Sequence, residues 1–225
     1  MNPLLRNSAA HVFVADVSVP VLSDDDVHHL KKVLRLRNGE SVTCSDGAGR
    51  WRACVWNSDS LDVNGDIMSE EFPKPTLRVA VSPVKGDRTE LVVEKLVEIG
   101  IDEIIVLAPV ERSVVRWGHD KIDHVMQRYQ RIARAAAMQS RRVVLPSVVG
   151  PISLGDLGRD KVALAEPDGT AEWSHVTTVV IGPEGGFSPT EVAEAPATID
   201  LGAHILRAET AAIVAATQMV AHWRR

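Results

Sequence analysis

Residues 178–192 read TVVIGPEGGFSPTEV, and residues 195–212 read APATIDLGAHILRAETAA. Each stretch contains a short apolar run typical of a buried strand, at 178–181 in the first and at 198–201 in the second. A glycine-containing loop and then a helical pattern follow each run, so backbone N–H groups converge at two helix starts. Loops at the carboxyl ends of parallel strands are where open α/β sheets bind ligands. For the first loop, at 182–187, the alternative is a tight turn that needs glycine for a positive φ.

The first of these loops, at 182–187, does not match the two best-known phosphate-binding motifs. It is not G-x-G-x-x-G, and G-x-x-x-x-G-K-[ST] occurs nowhere in the chain, so neither a dinucleotide fingerprint nor a P-loop is encoded. Taken together, the two stretches resemble the SPOUT methyltransferases, and most closely the ribosomal RNA small-subunit methyltransferase E family. The residues that carry the resemblance are IGPEGGF at 181–187 and LGxxILRxETA at 201–211.

The resemblance implies a fold class. It is an α/β protein with a SPOUT-type parallel sheet and a C-terminal trefoil knot, preceded by a small PUA-like β-barrel domain. The expected division is a PUA-like RNA-binding domain at 1–72, a linker at 73–76 and a SPOUT methyltransferase domain at 77–225. The hydrophobic pattern agrees, because short strands and turns come first and strand–helix alternation follows. Pro73 and Pro75 exclude a helix or a central strand at the boundary.

The same pattern predicts the individual elements. Before the linker we expect strands at 11–15, 41–44 and 51–56 and, after an acidic helix start at 23–26, a short helix at 28–36. After the linker we expect strands at 77–82, 104–107, 162–165, 178–181 and 198–201, with helices at 89–99, 121–140 and 209–223. Three of these helices have an expected buried face. It consists of Leu30, Val33 and Leu34 in the helix at 28–36, of Leu91, Val92, Leu96 and Ile99 in that at 89–99, and of Ile213, Ala216, Thr217 and Val220 in that at 209–223.

Composition excludes several classes of protein. The 225 residues are 45% hydrophobic and 24% charged, which is ordinary for a globular protein. No stretch approaches the ~20 apolar residues of a membrane span, and the N-terminus lacks the apolar core of a signal peptide, so we expect a cytoplasmic protein without membrane partners. Cys44 and Cys54 form neither a disulfide framework nor a zinc site, and the histidines are scattered, so no metal is expected.

Basic residues are concentrated in two segments although the net charge is −5. Residues 28–37 contain four Lys or Arg and no acid, and residues 112–142 contain eight against two Asp. The pattern favours a polyanion, and the alternative is two solvated helix faces. With the resemblance, it implies 16S rRNA or the small ribosomal subunit as partner. The candidate RNA-binding residues are Arg6, Lys31, Lys32, Arg35, Arg37, Arg112, Arg131 and Arg142. Trp51 and Trp56 are either core residues or base-stacking platforms.

The resemblance implies an enzyme that methylates N3 of a uridine in 16S rRNA, with S-adenosyl-L-methionine as cofactor. It also implies a pocket formed by the two glycine loops and by the end of the third predicted strand after the linker. The candidate cofactor-binding residues are Leu164, Glu166, Ile181, Gly182, Pro183, Gly185, Gly186, Leu201, Gly202, Ile205, Leu206, Thr210 and Ala211.

Removing the N3 proton of uracil needs a base or a group that stabilises the anion. Glu209 is the first candidate, but it lies at a helix start, where the dipole stabilises the carboxylate and weakens it as a base. A capping role for Glu209 is the equal alternative. Arg207 stays protonated and could bind a phosphate or stabilise the developing anion. Glu184 is a third catalytic candidate, with loop shaping as its alternative.

The last helix carries no Lys, Arg, Asp or Glu between Glu209 and Arg224, so we expect it to be buried on more than one side. The resemblance implies a homodimer, in which a cation such as Arg6 or one near Arg112 reaches the other subunit's cofactor. Two other functions stay open: a non-catalytic RNA-binding or ribosome-assembly factor that retains the fold, and a phosphate-ligand enzyme. The presence of both Arg207 and Glu209 disfavours the former, and the missing P-loop lysine disfavours the latter.

Overall fold

A computed structural model describes residues 1–224, and the chain divides into two compact units. The first unit consists of residues 1–72 and 137–145, and the second of residues 73–136 and the chain after 145. The sequence did not indicate that 137–145 would pack with the N-terminal residues. Among the described residues, no helix combines the length and the apolar character that crossing a bilayer requires.

The first unit is built on a five-stranded sheet. Its strands are β1 (Ala10–Phe13), β2 (Ser41–Ser45), β3 (Arg50–Asn57), β4 (Ser60–Val63) and β5 (Met68–Ser69). They are ordered β1-β2-β3-β4, and β5 also pairs with β3. β1 and β2 are parallel, whereas β2 and β3 form the antiparallel hairpin that the sequence predicts. The unit also contains α1 (Pro3–Asn7) and α2 (Asp24–His28), and α2 continues as one π-helical turn over His29–Val33.

Burial in the first unit corrects one prediction and confirms another. Leu30 is buried in the core, but Val33 is 60% exposed and Leu34 is also exposed, so the expected inward face is wrong for both. The π-helical turn is wider than an α-helical turn and moves the residues after Leu30 away from the core. Trp51 and Trp56 are buried, which confirms the interpretation that they are core residues.

The second unit is built on a six-stranded parallel sheet. Its strands are β6 (Arg78–Val81), β7 (Glu103–Leu107), β8 (Ser147–Ile152), β9 (Val162–Ala165), β10 (Thr178–Ile181) and β11 (Thr198–Ile199). They are ordered β11-β9-β10-β6-β7-β8, and every neighbouring pair is parallel. The carboxyl ends of β6, β9, β10 and β11 therefore adjoin along one edge of the sheet, and the two glycine loops lie there.

In the described part of the chain, four α-helices accompany this sheet: α3 (Arg88–Ile99), α4 (His119–Gln139), α5 (Pro189–Glu194) and α6 (Ala208–Trp223). α3 ends at Gly100, whose φ of +112° is the left-handed C-cap that glycine favours. Leu91 is exposed, so its predicted inward position is wrong, whereas Val92 and Leu96 are buried as predicted. α6 packs against α3. The fully buried residues of α6 are Ala212, Ala215, Ala216 and Met219. Ala216 is therefore buried as predicted, whereas Ile213 and Val220 are only half-buried and the predicted inward position of Thr217, which is exposed, is wrong.

Candidate functional site

The loop after β10, residues 182–187, is a compact turn. Gly186 has a φ of +67° and donates a 2.9 Å backbone hydrogen bond to the Pro183 carbonyl. A Cβ atom on Gly182 would lie 3.1 Å from the ring of Phe187, which is buried. The glycine at 182 is therefore needed for the packing of Phe187, and the glycine at 186 is needed for its left-handed backbone.

Two charged side chains hold the far end of this loop. Arg112 Nη1 donates hydrogen bonds to the carbonyls of Gly185 (3.2 Å) and Phe187 (3.0 Å). The Phe187 N–H donates to the carboxylate of Glu166. Burial raises the pKa of Glu166, and both that hydrogen bond and the charge of Arg112 oppose the rise. Arg112, a predicted RNA-binding residue, therefore shapes the loop in this structure.

The α5 start fixes the same loop from its other side. Ser188 and Glu191 form a capping box, in which Glu191 Oε2 accepts from the Ser188 N–H at 2.7 Å. Glu191 Oε1 also accepts from the Glu111 N–H at 2.9 Å, which connects the loops that follow β7 and β10. Glu191 was not among the predicted site residues, although S-x-x-E before an apolar run is a recognisable helix-start signal.

A third set of contacts joins the two candidate catalytic carboxylates. Arg88 Nη2 lies 2.8 Å from Glu184 Oε1, and Arg88 Nη1 lies 3.5 Å from Glu209 Oε2. Arg88 was not among the predicted site residues. Its position as the first residue of α3, after the strand that pairs with β10, places it at the same edge of the sheet.

The loop after β11 is more open than the first. Gly202 has a φ of +139°, and its N–H donates to Asp200 Oδ1 at 2.9 Å. Cβ atoms on Gly186 and Gly202 would meet nothing within 4 Å, so both glycines border open space. Ile205 is 87% exposed. Backbone-lined space of this kind, at two loops on the same edge of the sheet, suits a ligand with a planar ring and polar edges.

The remaining candidate cofactor-binding residues differ in how deeply they are buried. Leu164, Ile181 and Pro183 are buried, and Leu164 belongs to the core cluster on one face of the sheet. Leu201, Leu206 and Ala211 are half-buried and Thr210 is exposed, all in or beside the second loop. Arg207 is the N-cap residue of α6; it is exposed and makes no side-chain capping bond.

Two cavities of this unit are relevant to the site. One of about 10 Å³ lies beside Glu209 and is lined by Ser82, whose buried Oγ has no hydrogen-bond partner among the described residues. The other, of about 350 Å³, lies beside α5 and is bordered by Val110, Leu154 and Arg159. Of the predicted cofactor residues only Leu164 lines the larger cavity, so its size alone does not make it the candidate site.

The predicted RNA-binding residues differ in their surroundings. In the first unit Lys31 Nζ forms an ion pair with Asp59 at 2.6 Å, whereas Arg6, Lys32, Arg35 and Arg37 are exposed and Arg142 is half-buried. In the second unit Arg131 is exposed. Arg128, from the same basic segment, is paired with Glu90 at 2.8 Å. Part of the segment 112–142 therefore serves intramolecular contacts.

Comparison with known protein families covers both units. A family model described as an RNA methyltransferase domain matches residues 70–220, and one described as an RNA methyltransferase PUA domain matches residues 22–59. Among curated relatives, the ribosomal RNA small subunit methyltransferase E of Mycobacterium bovis is 30% identical over 222 residues, covering 88% of this chain and 84% of the relative. That of Bacillus subtilis is 29% identical over 223 residues, covering 86% of each.

Solved structures with the same fold include two informative examples. A probable rRNA methyltransferase from Porphyromonas gingivalis superposes with a TM-score of 0.73 at 28% identity, covering 96% of this chain and 98% of that one. A ribosomal RNA small subunit methyltransferase E from Neisseria gonorrhoeae, solved with S-adenosyl methionine bound, gives a TM-score of 0.77 at 23% identity and covers 95% and 98%. The second comparison supports the fold.

Proposed function

This chain belongs to the RNA methyltransferase family, and on that premise we propose that it uses S-adenosylmethionine to methylate N3 of a uridine in 16S ribosomal RNA. The observation that carries the proposal is the pair of glycine loops at the carboxyl ends of β10 and β11, the two strands on either side of β9. They occur in a chain that aligns over 88% of its length with a relative named for small-subunit rRNA methylation. A factor that only binds RNA would have no use for a second, backbone-lined ligand site.

The two loops fit an adenosyl group. Gly186 and Gly202 leave open space where side chains would stand, and the half-buried Leu201 and Leu206 supply apolar contact beside it. When bound, S-adenosylmethionine supplies a methyl group on a sulfonium. The chain has to bind and orient the cofactor, exclude water and manage the N3 proton. The proposed cofactor-binding residues are Leu164, Glu166, Ile181, Gly182, Pro183, Gly185, Gly186, Leu201, Gly202, Ile205, Leu206, Thr210 and Ala211.

The side-chain contacts favour different roles for the three catalytic candidates. Glu184 and Glu209 both accept hydrogen bonds from Arg88, which supports the loop-shaping alternative for Glu184 and disfavours a base at either carboxylate. Arg207 lies exposed between the second loop and α6. A guanidinium there suits binding of an RNA phosphate, or stabilisation of the anion that forms as N3 loses its proton.

Four finer features belong to the same proposal. The C-terminal segment forms a trefoil knot, which is supported by β10 lying between β9 and β6 and by α6 packing on α3. Residues 1–72 form a PUA-like RNA-binding barrel, joined by a linker at 73–76 to a SPOUT domain at 77–225. The chain forms a homodimer, and it acts in the cytoplasm on 16S rRNA or the small ribosomal subunit.

Calorimetry tests the cofactor part of this proposal and separates it from the two other functions. We expect S-adenosylmethionine to bind with one site per chain and ATP not to bind. A phosphate-ligand enzyme would show the opposite preference. A chain that binds rRNA but neither small molecule would instead be the non-catalytic RNA-binding factor.

A further inference from the structure

Arg88 touches the loop just before its own helix and two segments that are distant in sequence. Its Nη2 donates to Glu184 of the first glycine loop, and its Nη1 contacts Glu209 in the first turn of α6. Its Nε donates to the Lys85 carbonyl at 3.2 Å, which anchors the guanidinium to the loop after β6. The Lys85 N–H in turn donates to Glu184 Oε1 at 3.3 Å. The contacts form one connected group, called here the Arg88 clamp: Lys85, Arg88, Glu184 and Glu209.

The surroundings of Glu209 leave little room for a substrate. Its side chain is only 13% exposed, less than those of Arg88 and Glu184. The cavity beside it, about 10 Å³, is large enough for about one water molecule. The buried hydroxyl of Ser82, without a partner among the described residues, lines the same cavity. A nucleobase cannot enter this space.

We infer that Arg88 is a positioning residue, which fixes the first glycine loop against the start of α6 through Glu184 and Glu209. This rests on the proposed function, because the loop and the first turn of α6 are the two sides of the proposed cofactor site. Glu209 then acts as an acceptor in the clamp and does not remove the N3 proton. Two carboxylates facing one guanidinium need its planar fork, so lysine is a poor substitute.

The matched control is Arg78, whose Nε pairs with Glu103 at 2.9 Å in the same unit. Arg78 and Glu103 are the first residues of β6 and β7, so the pair lies at the edge of the sheet away from the glycine loops. Arg88→Met should weaken S-adenosylmethionine binding by about tenfold or more, Arg88→Lys should restore only part of it, and Arg78→Met should leave it unchanged. Arg88→Met combined with Glu209→Gln should cost no more than the worse single variant, since both break the same clamp. Additive losses would overturn the inference.

Methylation kinetics distinguish a positioning role of Glu209 from a role in removing the N3 proton. Glu209→Gln should raise KM for S-adenosylmethionine while keeping the shape of the pH–rate profile. A base would behave differently: Glu209→Gln would lower kcat by about a hundredfold or more and remove the acidic limb of the profile. That second result would overturn the inference. Glu184→Gln, which removes one arm of the clamp only, provides a milder variant if Arg88→Met fails to fold.

Hydrogen exchange keeps this inference testable apart from the proposed function. If the wild-type chain binds no S-adenosylmethionine, the proposed function fails, but amide exchange in the ligand-free protein still reports on the clamp. Arg88→Met should then speed exchange at 183–187 and at 208–212 together, and Arg78→Met at neither. Unchanged exchange in both segments of Arg88→Met would overturn the inference.

Discussion

His11 in β1 shows how burial converts one side chain into a pH-dependent term in stability. Its ring is buried edge-on against Phe13, and Nδ1 lies 2.8 Å from Thr43 Oγ1. Burial, with a smaller contribution from the charge of Arg141, lowers the pKa of His11 from 6.5 to about 4. Because the folded state resists protonation of His11, this side chain binds a proton only in the unfolded chain between pH 6.5 and about pH 4. The free energy of unfolding therefore falls as the pH falls through this window.

The first prediction follows from that sign. Between pH 7 and pH 4, the His11 contribution should lower the free energy of unfolding by roughly 3 kcal/mol, at about 1.4 kcal/mol for each pKa unit. His11→Gln should remove this contribution, so the variant should lose less stability than the wild type over the same range. Urea denaturation at several pH values measures it, with the exposed His204→Gln as control. Parallel pH curves for wild type and His11→Gln would contradict the assignment.

The second prediction concerns Gly186, with Gly158, a positive-φ glycine outside the predicted cofactor residues, as its control. Gly186 and Gly158 have φ values of +67° and +77°, and a Cβ at either would meet nothing within 4 Å. Alanine should strain both positions, by about 1–3 kcal/mol, and Gly158 the more, because its ψ of −175° lies in a region open almost only to glycine. Only Gly186→Ala should also weaken S-adenosylmethionine binding in calorimetry, because only that Cβ enters the proposed cofactor space. Equal affinities in the two variants would remove Gly186 from the site.

At the residue scale, the sequence predicts the backbone conformation of the glycines better than the partners of the charged side chains. A Gly-rich loop between a strand and a helix is a local pattern, and both Gly186 and Gly202 have the positive φ that it indicates. The Arg88 clamp is not local, because Arg88 is separated from Glu184 by 96 positions and from Glu209 by 121. Nothing in a local pattern indicates which distant carboxylate a cation meets.

At the scale of elements, the strands and helices with a clear period were predictable. The bounds of β10, α3 and α6 lie within one residue of the predicted ones. β8 was missed because Gly150 and Pro151 in its sequence are typical of a loop, and proline is tolerated there since β8 is an edge strand. The π-helical turn at His29–Val33 was missed because an apolar period of 3.6 residues cannot reveal a wider turn.

That π-helical turn carries the third prediction. Lys32 and Arg35 are exposed, whereas neighbouring Lys31 is paired with Asp59. If this surface binds rRNA phosphates, neutralising Lys32 and Arg35 should lower the slope of log affinity against log salt by about 0.7–0.9 for each phosphate that is no longer neutralised. Lys31→Gln should change it less, because its charge is already partly compensated. An unchanged slope in the Lys32→Gln, Arg35→Gln variant would return this surface to the solvated-helix alternative.

At the scale of the whole molecule, the outer side of α6 bears on assembly. Thr210, Thr217 and Ala221 are exposed along one side of the helix, with Val214 half-buried among them. A terminal helix of a monomer would show charge there. An uncharged strip suits an isologous contact with a second copy.

The fourth prediction tests that contact by light scattering. The wild-type chain should have twice its 24.5 kDa mass. Ala221→Arg, which places a charge in the strip, should produce monomers and reduce methylation. Thr190→Arg, at an exposed position of α5, should stay dimeric. An active wild-type monomer at assay concentration would contradict the dimer.

The most direct test of the account is nucleoside mass spectrometry of 16S rRNA after incubation with the purified chain and S-adenosylmethionine. Substrates are the naked transcript and small subunits from a strain that lacks the gene. We expect one uridine per rRNA to become 3-methyluridine, only when S-adenosylmethionine is present, and at a reduced rate with Gly186→Ala. Methylation at another base or atom, or bound rRNA that acquires no methyl group in either form, would contradict the account.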